Sequence, residues 1–88
     1  MTLKIEPQQS DGRSILRLIG RIGAEHLEEL KAQITAATPP VVLDLTEVVI
    51  LDVDAVRFLV SAERQGIEVS NSSPYIREWM NRIRGSKS

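Results

Sequence analysis

Four carboxylates fall within eleven residues of this chain: Asp44, Glu47, Asp52 and Asp54 in the stretch DLTEVVILDVD. Grouped carboxylates can hold a divalent cation, with water filling its remaining positions, and through that cation a nucleotide or phosphate. The Asp44/Asp52/Asp54 cluster is therefore a candidate nucleotide/phosphate or divalent-metal site. In open α/β sheets, ligands gather where strands end and helices begin, and these aspartates stand at such a junction. They also have plain structural uses. Asp52, just before an apolar helical run, is a good N-cap worth about 1 kcal/mol. Asp54 in the first turn gains roughly 0.3 to 1 kcal/mol from the helix dipole. No glycine-rich phosphate loop accompanies them, and spacing alone brings no ligand set together, so neither a metal ligand nor a cofactor is assigned.

Other chemistries find less support. Without cysteine, thiolate catalysis, thiolate metal sites and disulfides are excluded. His26 is the single histidine and stands among glutamates, the setting of an exposed helical residue. Serines such as Ser61, Ser70, Ser72 and Ser73 lack the adjacent base that a nucleophile needs. The expectation is a protein that is not an enzyme. A net charge of −1 gives none of the basic stripe that nucleic acid asks for. Arg77, Arg82, Arg84 and Lys87 near the C-terminus read as a solvated helix face. MTLKIEPQQSDG lacks the apolar core of an export signal, and no stretch approaches the about 18 apolar residues of a membrane span. A cytoplasmic protein without membrane insertion is expected.

At 88 residues the chain has room for one small domain. Leu3–Ile5 and Ile15–Ile19 are read as strands joined at Asp11-Gly12, a strong hairpin signal. Ile15, Arg17 and Ile19 fall on one face of the second strand, with Leu16 and Leu18 on the other. Gly20 and Gly23 read as the turn that follows. Leu27, Leu30, Ile34 and Ala37 recur at helical spacing, giving a helix from Ala24 to Ala37 that Thr38-Pro39-Pro40 stops. Val41–Leu45 reads as a strand covered on both faces, and Val48–Leu51 as a connecting segment packing down into the next helix. That helix runs from Asp52 towards Gly66. Ile67–Val69 is a further strand. Ser73-Pro74 then opens a third helix as N-cap and first residue, with Ile76, Trp79, Met80 and Ile83 as its buried stripe. The fold class is α/β: a small mixed four-stranded sheet with an N-terminal antiparallel hairpin, parallel strands and about three helices.

The segment VVLDLTEVVILDVDAV, preceded by LRLIGRI and a helix and followed by GIEVSNSSPYIREWM, resembles the STAS domain of sulphate transporters and anti-sigma factor antagonists. The resemblance implies a STAS-like domain over residues 1–84 with a disordered tail at 85–88. It also implies a non-enzymatic regulatory module that acts by protein–protein contact. In anti-sigma factor antagonists the corresponding helix begins Asp-Ser-Ser-Gly, and the second serine is phosphorylated by a partner that is itself the anti-sigma factor. Here Asp52 matches the leading aspartate, Val53 replaces the first serine, Asp54 stands at the phosphoserine position and Ala55 replaces glycine. The acceptor hydroxyl is missing, so phosphorylation is not expected to switch the domain there. What the resemblance implies as contact surface is Asp52, Val53, Asp54, Ala55 and Arg57, with Asp44, Thr46 and Glu47 adjoining. The implied partner is a protein of the anti-sigma factor, serine-kinase-like type. Nothing after Arg84 supplies the final strand and helix of fuller members, and an edge or apolar face left open would favour docking or a homodimer.

Overall fold

The computed structural model of the protein describes residues 2–85. Strand β1 (Leu3–Ser10) and strand β2 (Arg13–Ile22) form an antiparallel hairpin closed by Asp11 and Gly12. Both turn residues have positive φ, 52° and 76°. This is the combination that matches the right-handed twist of the flanking strands. β1 runs five residues beyond the expected Ile5 because it is the sheet's outer strand, where Pro7 can lack an N–H without breaking an inner ladder.

β2 also runs further than the sequence suggests. Gly20 and Arg21 belong to the strand rather than to a turn, and Gly20 pairs with Leu3 at φ +102°. Gly23 has an ordinary φ of −119° and opens a short 3-10 turn, Ala24–His26. Helix α1 (Leu27–Ala36) follows from that turn. The expected helix at Ala24–Ala37 thus begins as a tighter turn, with a physical reason in His26. The imidazole Nδ1 accepts a hydrogen bond from the Gly23 amide at 3.0 Å, satisfying a donor that the helix start leaves orphaned. His26 is accordingly half-buried rather than exposed. α1 ends before Thr38-Pro39-Pro40, as the prolines require.

Strand β3 spans Val41–Leu51 without interruption, so the connecting segment expected at Val48–Leu51 is strand. Two irregularities hide it in the sequence. The register against β2 slips between Arg17 and Ile19 and again between Gly20 and Arg21. At each slip β3 carries one residue more than its partner, which is a bulge. Strict alternation is therefore lost: Val41, Leu43, Leu45, Val48 and Leu51 turn towards the core cluster at spacings of two, two, three and three.

Helix α2 (Val53–Arg64), strand β4 (Glu68–Ser70) and helix α3 (Pro74–Gly85) complete the chain. The sheet order is β1-β2-β3-β4, with β2, β3 and β4 parallel. β4 reaches only Val42, Leu43 and Asp44 of its neighbour, so from Leu45 onward β3 has a partner on one side alone. Leu16, Leu18, Leu43 and Leu45 from the sheet meet Leu30 of α1, Val56 and Leu59 of α2, and Ile76 and Met80 of α3 in a single core. Ile15, Arg17 and Ile19 lie half-buried on the opposite face. Trp79 and Ile83 pack at the margin of the core.

The basic residues of α3 are only partly the solvated face expected. Glu63 of α2 is bound by both Arg77 and Arg84, which ties the two helices together. Ser73 caps α3 by accepting from the Ile76 amide at 3.3 Å. Ser73→Ala is expected to cost about 0.5 to 1 kcal/mol, measurable as a lower urea midpoint with an unchanged slope. Of the tail expected at 85–88, Gly85 closes α3 and the rest lies outside the described residues. No helix among the described residues is long and apolar enough to cross a membrane.

Candidate functional site

The continuity of β3 divides the acidic constellation. Asp44 sits in the strand's first half and Asp52 just past its end. At about 3.3 Å per residue the strand holds them on the order of 20 Å apart. Among the described residues no three acidic or histidine side chains gather as a metal ion's ligands would. Asp44, Asp52 and Asp54, read together as one cluster, are two separate places with different surroundings.

At the first place, Asp44 is held by its neighbours. Its Oδ1 accepts from the Thr46 hydroxyl at 2.6 Å, the Thr46 amide at 3.0 Å and Asn71 Nδ2 at 3.1 Å. Partial burial pulls the Asp44 pKa up. The Thr46 hydroxyl, the Thr46 amide, Asn71 and the nearby Arg17 charge together outweigh that pull, and the carboxyl titrates below its ordinary range. Glu47 pairs with Arg17 across the strands at 2.5 Å. Both partners are solvent-accessible, so the bond contributes about 0 to 1 kcal/mol. Asn71 and Arg17 were not among the sequence-derived site residues. Asn71 follows β4 at φ 61°, a conformation that asparagine tolerates, and its place in the turn-rich SNSSP stretch was the one available signal.

At the second place, Asp52 is a structural junction. Oδ1 accepts from the Ala55 amide at 2.9 Å and caps α2. Oδ2 accepts from the Ala24 amide, also at 2.9 Å, where the 3-10 turn begins. Its own amide donates to the Ile22 carbonyl at 3.2 Å. One residue thus fastens the end of β2, the approach to α1 and the start of α2. The Ala55 amide, then the Ala24 amide, with Arg21 adding to them, hold the Asp52 pKa below the ordinary carboxylate range. Having spent both oxygens on amides, Asp52 has little left for a ligand.

The remaining residues divide by helix face. Ala55 is fully buried with Val56, Leu59 and Val60, and so cannot be part of a contact surface. Its position on α2 turns it into the core. Val53 is 42% exposed, and Asp54 and Arg57 are also exposed. None of the ion pairs found among the described residues involves Asp54 or Arg57. Beside them, Val49 is 71% and Ile50 52% exposed. In the sequence these two read as part of a connecting segment packing down into the next helix, and nothing there marks them as exposed. The second bulge is what turns them outward.

The family STAS_2, described as "Mlab, STAS domain", matches residues 5–84. One similar solved structure is an uncharacterized protein of the DUF3478 family with a SpoIIAA-like fold from Shewanella loihica PV-4. It is 18% identical, covering 93% of this chain and 76% of that one at a TM-score of 0.46. No curated protein matches. The STAS_2 match takes in the hairpin, both parallel crossovers, the Asp52 cap and α3, and the protein belongs to the STAS family.

Proposed function

We propose that this STAS domain is a non-enzymatic interaction module of the anti-sigma factor antagonist kind, acting in the cytoplasm through the start of α2. STAS domains are generally interaction modules rather than enzymes. The observation that carries the proposal is local: Val49, Ile50 and Val53 lie open beside the exposed Asp54. Contiguous exposed apolar side chains rimmed by charge mark interaction surfaces. Asp54 supplies about one negative charge where phosphoserine would bring about −1.5 to −2 with three acceptor oxygens. The domain is held in one state at this position, and the partner reads the surface without a phosphorylation step there. Asp52 contributes by setting the direction of α2, and the Asp44–Thr46–Asn71 group by fixing the strand that leads to it.

The test is to identify the protein captured by the tagged full chain in the native cytosol and to measure its affinity for variants. Asp54→Arg and Val53→Asp are each expected to weaken binding at least about tenfold while far-UV circular dichroism stays unchanged. Equal affinities for wild type and both variants would remove α2's start from the interface.

A further inference from the structure

Between α1 and α2 lies an open groove of about 610 Å³. Leu27, Ile34, Phe58 and Ile67 form its floor, all half-buried and packed against the core from below. Lys31 stands on the α1 wall, and Asp54 and Arg57 on the α2 wall. None of the ion pairs found among the described residues involves Lys31 or Arg57. The groove thus offers an apolar floor and two free cations, one on each wall. We propose that it seats an acidic amphipathic helix supplied by the protein partner, an inference that rests on the interaction-module reading and names the element the partner brings.

The form of the occupant follows from hydrogen bonding. The walls are helices whose backbone groups are bonded internally. A strand laid on this floor would leave its own N–H and C=O groups unpaired, whereas a helix brings its bonds with it. α1 and α2, of ten and twelve residues, are about 15 to 18 Å long, room for an apolar stripe at i, i+3, i+4 and i+7. The charge of the occupant follows from the walls, where Lys31 and Arg57 outnumber Asp54 and ask for carboxylates flanking that stripe. A second copy of this chain offers a poorer match: the outward aromatic face of α3 sets Tyr75 and Trp79 beside Glu78 and Arg82, which pair with each other and leave no free carboxylate there for the groove's cations.

The probe is a helix-stapled synthetic peptide with leucines at i, i+3, i+4 and i+7 and glutamates flanking them, added to the ¹⁵N-labelled full chain. A second peptide carries lysine at each glutamate. The glutamate peptide is expected to shift the amides of Leu27, Lys31, Ile34, Phe58 and Ser61. In Lys31→Glu/Arg57→Glu its affinity falls at least about tenfold, and the lysine peptide gains what it loses. The proposal is overturned if the groove amides stay still, or if wild type binds both peptides equally. It is also overturned if groove amides move with protein concentration alone, the mark of a second copy, or if decanoate shifts them at lower concentration than the peptide. Val49→Asp, outside the groove, separates the two readings. If it abolishes partner binding while groove shifts are absent, only the helix-in-groove proposal fails. If groove shifts are present but the partner ignores Val49→Asp and Val53→Asp, only the assignment of the α2 start fails.

Discussion

Gly20→Val is expected to destabilise the domain by about 2 to 3 kcal/mol, lowering the melting temperature by roughly 8 to 24 °C for a chain of this size. Two effects add. Gly20 has φ +102°, and a β-branched residue forced into that region carries strain of about 1 to 3 kcal/mol. A Cβ there would also come within 2.5 Å of the Thr2 carbonyl oxygen, a backbone atom with no rotamer to yield. The chain can relieve the contact by peeling the start of β1 away, at the expense of the Arg21 amide's bond to Thr2 and the Leu3–Gly20 pairing. Thermal unfolding gives the total. Amide exchange shows where it falls, with faster exchange expected at the start of β1 and unchanged protection in α2.

Asp52→Ala is expected to cost about 2 kcal/mol, more than an ordinary cap deletion, because it orphans the Ala24 amide together with the Ala55 amide and bonds to a charged acceptor exceed neutral ones. Asp52→Asn separates the two losses. Asparagine is also a good N-cap but has one acceptor oxygen, and its NH₂ would face an amide that is itself a donor. It should therefore cost about 1 kcal/mol. The pH dependence has a definite sign. The folded Asp52 and Asp44 titrate below their unfolded values, so their contribution is complete above the ordinary carboxylate range. It is lost as pH falls through the depressed folded pKa values. Acid unfolding of wild type followed by circular dichroism should be steeper than that of Asp52→Asn. Parallel curves would show that Asp52 does not carry the linkage.

The features legible in the sequence were those with local causes. Asp11-Gly12 sets a hairpin because two adjacent residues must take positive φ. Asp52 and Ser73 cap because each precedes an apolar helical run, and the prolines after Thr38 end α1 whatever surrounds them. What escaped depends on partners distant in the chain. Gly20 reads as a turn until Thr2 arrives beside it. His26 reads as exposed until the Gly23 amide is seen to need it. β3 reads as a strand followed by a connection because its inward residues abandon a period of two, and only pairing against β2 reveals the extra residues. The acidic constellation failed for the same reason. Proximity in sequence became distance in space once the residues from Asp44 to Leu51 proved to lie in one extended strand. Ala55 fell with it, since alignment to a family motif carries no information about which way a side chain turns.

The bulges of β3 bear on solubility as well as shape. With β4 so short, Leu45–Leu51 has no strand of the described residues paired along one side. Such an open border, flanked by Val49 and Ile50, is a template for stacking copies into aggregates. A neighbouring chain could extend the sheet there only by matching a ladder of even spacing. Extra residues against Ile19 and Arg21 deny it that spacing and increase the local twist. The irregularity that hid the strand from the eye also hides it from other strands, so Val49 and Ile50 can stay exposed without inviting the chain to polymerise.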